Sequence, residues 1–139
     1  MQWLFTHIGL LLARLISRLP FRILLLLADI LYFILNRIYA YRKTVIDLNL
    51  MHAFPDKKSE ELWFIRQNFY RHLADIVAET IQSISISEKK LKAHIQLHHE
   101  SYEVLRKYER SGQHIFVVLG HYGNWEWASL LAGLETKLP

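Results

Sequence analysis

Apolar residues crowd the first third of the chain and afterwards recur mainly at helical spacing. Trp3 to Leu19 is one mostly apolar run, ended by Pro20, and Phe21 to Leu35 is a second, interrupted by Arg22 and Asp29. Arg42 to Met51 continues as helix, with Val45, Ile46, Leu48 and Leu50 apolar, until Ala53-Phe54-Pro55-Asp56 stops it. Ser59 stands where it caps the next helix, with Glu60 and Glu61 loading the first turn; a capping box would want Glu or Gln at position 62, and Leu62 is there instead. Leu62, Ile65, Phe69, Leu73, Ile76, Val77 and Thr80 then predict one long amphipathic helix over 62–83. Ser87 caps a short helix opened by Glu88. Residues 93–99 alternate weakly and read as an edge strand, and 100–110 read as helix with Gly112 as the C-terminal cap. Gln113 to Leu119 holds the β-branched, apolar run Ile115-Phe116-Val117-Val118-Leu119 and reads as a central strand buried on both faces; Ala128 to Leu134 reads as helix. Strand, helix, strand, helix in this order implies a βαβ unit and a layered α/β fold behind the N-terminal hydrophobic helices.

Charge divides the chain at residue 43. Net charge is only +4, which is not the dense basic stripe of a nucleic-acid binder. Yet Arg14, Arg18, Arg22, Arg37, Arg42 and Lys43 all precede residue 44, with Asp29 as the one acid among them. Residues 1–43 therefore form one unit and 44–139 a second. Neither apolar run reaches the uninterrupted ~20 residues of a clean spanning helix, and no small-residue cleavage site marks a secretory signal. Three arrangements remain: a monotopic helical hairpin with arginines at the headgroups, a tilted spanning helix near 21–40, or a buried helical layer of a soluble domain. Membrane attachment is favoured, because cationic rims beside Leu-rich helices suit anionic lipid surfaces. Tyr32, Tyr39 and Tyr41 would anchor the interface, and if one helix spans, Arg37, Arg42 and Lys43 after it would place the rest of the chain in the cytoplasm.

The candidate chemistry lies in Gly120-His121-Tyr122-Gly123-Asn124-Trp125-Glu126-Trp127. Asn124 suits an N-cap, with residues 125–127 as the first helical turn. Glu126 then sits at the positive end of the helix dipole, five residues after His121. Gly120 and Gly123 remove side-chain bulk beside the histidine, so a substrate can come close to the backbone. If the loop folds back, Glu126 accepts from one ring nitrogen of His121 and leaves the other as a base, the arrangement of an acyl-transfer site. The proton would come from a substrate alcohol, because the chain has no cysteine and the motif no serine or threonine. Absence of cysteine also excludes disulfides and thiolate metal sites. His94, His98 and His99 lie close in sequence, but in a strand positions i and i+4 are too far apart to share a metal, and none is expected. No metal or redox cofactor is needed.

GHYGNWEW resembles the first motif of the bacterial lipid A biosynthesis acyltransferases, the late lauroyl/myristoyl transferases. The wider glycerolipid acyltransferases share its H-x4-D/E core. Asn49-Leu50 with Ala53-Phe54-Pro55, and Phe69-Tyr70-Arg71-His72-Leu73 with Glu79, resemble two further blocks of that family. Members often carry arginine just before the asparagine; Asp47 and Leu48 stand there instead, and the block is read as structural. The resemblance implies the start of a glycerolipid-acyltransferase-like layered α/β domain over 44–139. It implies an acyl carrier protein or acyl-CoA thioester as donor and a hydroxyl on a lipid A precursor or related lipid as acceptor. It places the enzyme at the cytoplasmic face of the bacterial inner membrane. His121 would be the base and Glu126 its orienting partner, with Gly123 and Asn124 backbone groups binding the donor carbonyl. Trp125 and Trp127 would be packing or acyl-tunnel wall.

Two alternatives stand beside this. One is acylation of a phospholipid, aminolipid or glycolipid by the same dyad; the other is a non-catalytic, membrane-attached interaction module. The resemblance spans the N-terminal half of a family whose members are about twice as long, so the 139 residues alone are expected to be incomplete and inactive.

Overall fold

The computed structural model describes residues 2–112, 114–120 and 122–135. Among these, helices follow one another as α1 (Gln2–Ser17), α2 (Phe21–Phe33), α3 (Lys43–Ala53), α4 (Ser59–Ser83), α5 (Glu88–His94), α6 (His99–Ser111) and α7 (Trp125–Glu135). A π-helical turn, Ile34–Ile38, extends α2. Pro20 is the N-cap of α2, where its missing N–H costs nothing. The N-cap of α4 is Lys58, one residue earlier than the sequence suggests. That shift puts Glu61 at the third helical position, where its Oε2 accepts the Lys58 backbone N–H at 3.0 Å. This bond, helped by Lys57, holds the Glu61 carboxyl below its ordinary value.

α4 is the spine of the molecule. Its buried residues Tyr70, Ala74, Ala78 and Gln82 fall on every fourth position, a single i±4 row. Leu24 and Ala28 of α2 form the same kind of row and meet it, and the alanines let the two backbones come close. Ile16, Phe21, Leu31 and Tyr32 pack around this contact. Ser85 Oγ donates to the Ser17 carbonyl at 2.7 Å and ties the end of α1 to the link after α4. A second cluster, Leu91, Trp127 and Leu131, joins α5 to α7.

The turn after the π-helix is backbone-strained. Ala40 (φ 46°) and Arg42 (φ 48°) both lie in the left-handed region, which costs a non-glycine residue on the order of 1–3 kcal/mol. Surrounding bonds hold it in place. Tyr39 N–H donates to Ile34 O at 2.8 Å, Tyr41 N–H to Leu35 O at 2.9 Å, and the buried Tyr70 hydroxyl to Tyr41 O at 2.8 Å.

The expected layered α/β fold is not formed: no strand is present among the described residues. Residues 93–94 complete α5, whose last turn carries the Leu91 carbonyl to Ile95 N–H bond, and His99 already opens α6. The two helices take the ends of the expected edge strand, and 95–98 between them form no strand among the described residues. Residues 114–120 have no regular secondary structure and pair with no segment among the described residues, and a strand exists only by such pairing. Phe116 and Val118 are 94% and 91% exposed, so the anticipated burial on both faces is also absent. Gln113 lies outside the described residues.

A compact monomer of 16.6 kDa exposes roughly 7,600 Å². This chain exposes 11184 Å². Much of the excess is apolar and concentrated on α1 and α2, where Trp3, Phe5, Leu11, Leu26, Ile30 and Phe33 all face outward. No single helix among the described residues is long and apolar enough to cross a membrane.

Candidate active site

Asn124 sets where α7 begins. Its Oδ1 accepts the Trp127 backbone N–H at 3.0 Å, the expected N-cap bond, and its Nδ2 donates to Glu79 Oε2 at 2.9 Å. Only the oxygen can take the backbone proton and only the NH2 can serve a carboxylate, so the two partners fix the amide's orientation. Trp127 Nε1 donates to the Glu79 backbone carbonyl at 3.1 Å. One residue of α4 thus grips the first turn of α7 by side chain and main chain together. Trp127 is buried against Leu91 and Leu131, with the His94 ring edge-on at 5.6 Å. His94 donates from Nδ1 to the Lys90 carbonyl at 2.8 Å and meets Phe21 of α2 on its other side, which makes it a packing residue. Lys92 bridges Glu88 at 2.8 Å and Glu135 at 2.7 Å, fastening α5 to the far end of α7; these bonds, Glu135 first, hold its ammonium well above the usual lysine range.

With both ends of α7 fixed, Glu126 is fixed too. It is half-buried in the first helical turn, and its Oε2 is enclosed with no hydrogen-bond partner among the described residues. An enclosed carboxylate oxygen at a helix N-terminus is an acceptor awaiting a donor. His121 lies outside the described residues. Gly123 has φ +62° with open space where a Cβ would stand, so backbone conformation rather than crowding calls for glycine. Nothing in the structure requires glycine at position 120, whose carbonyl accepts the Tyr122 N–H at 2.8 Å. The structure therefore brings Gly123, Asn124 and Glu126 together at one loop–helix junction. It also shows that the Asn124 side chain is spent on structure at both of its ends.

An apolar groove of about 550 Å³ opens beside this junction, between α6, residues 115–119 and α7. Leu97, Val104, Leu105, Phe116, Leu119 and Ala128 line it. Leu119 and Ala128, which line the groove, flank the motif in sequence. Glu79 is the site residue that spacing could not find: it lies 45 positions before Asn124, and in the sequence only the family-like block pointed to it.

A family model described as bacterial lipid A biosynthesis acyltransferase matches residues 1–136. No curated protein and no solved structure matches the chain.

Proposed function

Since the chain belongs to the bacterial lipid A biosynthesis acyltransferase family, we propose that it works as a membrane-attached O-acyltransferase at the cytoplasmic face of the bacterial inner membrane. The donor is a fatty acyl thioester of acyl carrier protein or CoA, and the acceptor a hydroxyl of a lipid A precursor. His121 takes the hydroxyl proton. The alkoxide attacks the thioester carbonyl, the C–S bond breaks, and the thiolate leaves with the proton returned by His121. Glu126 accepts from the second ring nitrogen, sets the tautomer and steadies the charged imidazole. The enclosed, unpartnered Oε2 of Glu126 is the observation that carries this assignment.

Other features support the remaining parts. Backbone N–H groups at Gly123 and Asn124 would donate to the donor carbonyl, whereas the Asn124 side chain is already engaged. The apolar groove beside the motif suits the acyl chain of the donor. The outward apolar faces of α1 and α2 suit a monotopic hairpin, whose cationic edge fits anionic headgroups. The test is a product assay on the full-length protein in mixed micelles, with acyl carrier protein and CoA thioesters in parallel. Ester on the acceptor and free thiol should appear one for one. Thiol release without ester would make the protein a thioesterase and refute the transfer.

A further inference from the structure

A second concave site lies at the other end of α4. Asn36, Arg37, Lys43, Trp63, Arg66 and Gln67 line a pocket of about 340 Å³. Gln67 and Glu79 are twelve positions apart on α4, so about 18 Å of helix separates this pocket from the active-site junction. It is not part of the acyl-transfer site.

The lining is rich in donors and holds no carboxylate. Arg66 is tied to Asp47 through Nη1, which neutralises it and fixes its plane while leaving further N–H groups of the guanidinium. Arg37 and Lys43 have no carboxylate partner among the described residues. Asn36 Nδ2 donates to Gln67 Oε1 and to the Tyr32 hydroxyl, and Tyr32 donates to the same Oε1 at 3.0 Å. The Gln67 oxygen is thereby occupied, and its NH2 has no partner among the described residues. Two unpaired cations, spare guanidinium donors and a spare amide suit a small anion with several acceptor oxygens.

The backbone holds these groups in place. Arg37 lies in the π-helical turn and Lys43 opens α3, on either side of the strained turn that puts Ala40 and Arg42 in the left-handed region. Hydrogen bonds from Tyr39, Tyr41 and Tyr70 lock that turn. A left-handed non-glycine pair beside a π-helix is a costly way to join two helices, and such features gather where a ligand is held. Ile34, Ile38 and Tyr39, the neighbours of Arg37, are exposed, so the pocket sits at the polar edge of the outward apolar face.

We infer that this pocket is a headgroup site that takes the phosphate of a membrane lipid while the apolar hairpin lies in the bilayer. This rests on the membrane attachment proposed above. Phosphatidic acid, with its terminal phosphate, is the probe that should fit best, because it offers most oxygens to the donors.

The test is flotation of the full chain with three kinds of vesicle: phosphatidylcholine alone, and phosphatidylcholine carrying matched charge as phosphatidic acid or as phosphatidylglycerol. The unaltered chain should float with all three and prefer phosphatidic acid over phosphatidylglycerol by on the order of tenfold. Arg37→Gln with Lys43→Gln should bring that ratio close to one and leave binding to phosphatidylcholine unchanged. Arg14→Gln with Arg18→Gln, the same charge loss outside the pocket, should weaken both anionic vesicles and keep the ratio. Equal loss of the ratio in both pairs would reduce the effect to general electrostatics and overturn the site. Binding of inorganic phosphate by calorimetry without any vesicle preference would assign the pocket to free phosphate and overturn the lipid. Failure to float even with phosphatidylcholine would overturn membrane attachment itself, an outcome distinct from loss of the ratio alone.

Discussion

Removing the Asn124 side chain tests how α7 is held. Asn124→Ala deletes two bonds of different kinds. The first is the N-cap bond to Trp127 N–H, worth about 1 kcal/mol. The second is the 2.9 Å bond to Glu79, a charge-assisted contact discounted to about 0.5–1 kcal/mol because Glu79 is half-exposed and water replaces the amide. Together they predict a loss of about 1.5–2 kcal/mol, or about 5–8 °C in melting temperature for a chain of this size. Asn124→Ser separates the two: it keeps a capping oxygen, gives up the reach to Glu79, and should lose only about 0.5–1 kcal/mol. Glu79→Gln retains an acceptor for the Asn124 amide and should be nearly as stable as the unaltered protein. A double-mutant cycle of Glu79→Ala with Asn124→Ser should show that the two losses do not add. The assay is thermal unfolding by circular dichroism in detergent micelles, with turnover measured on the same samples. If Asn124→Ala melts within about 1 °C of the unaltered chain, or the serine variant falls as far as the alanine, this junction is not held as described.

Four smaller perturbations probe the rest of the molecule. Ala40→Gly relieves a left-handed Cβ and should stabilise by about 1 kcal/mol in urea unfolding. Tyr70→Phe loses the hydroxyl bond to Tyr41 and should cost about 1 kcal/mol in the same measurement. Phe5→Glu with Leu12→Glu, about two turns apart on the exposed face of α1, should reduce flotation with vesicles without changing helix content. The Glu61 carboxyl titrates below its ordinary 4.5, so its support of the α4 N-terminus is complete above that pH and is lost as pH falls through the lower folded value; the protection of amides 58–62, taken relative to their intrinsic exchange at each pH, should fall there, and Glu61→Gln should abolish that pH dependence.

The helices were legible because each has local causes: Pro20 at the start of α2, Ser87 before α5, Gly112 after α6, Asn124 before α7, and the apolar row along α4. The strands were not, because pairing is not local. Val117 and Val118 have β-forming side chains, but a sheet needs a second strand, and the stretch meant to supply it continues α5 to His94 and begins α6 at His99. The start of α4 differs by one residue from the sequence pattern, since a glutamate three positions on works with any residue's backbone N–H at the cap, here Lys58. Within the site, Asn124 and Glu126 could be read from the motif, whereas the grip of Glu79 depends on α4 passing beside α7. The pocket at Arg37, Lys43 and Arg66 likewise joins residues up to 29 positions apart through the fold of α2 onto α4.

The claim that acyl transfer runs through His121 with Glu126 behind it is tested most directly by single-turnover acylation of the lipid acceptor in full-length variants. His121→Ala should slow the chemical step by on the order of 100-fold or more while donor and acceptor affinities stay close to those of the unaltered enzyme. Glu126→Gln should slow it by the same factor or less, because the base remains but loses its orientation and charge support. Acyl transfer at the unaltered rate by His121→Ala would contradict the account.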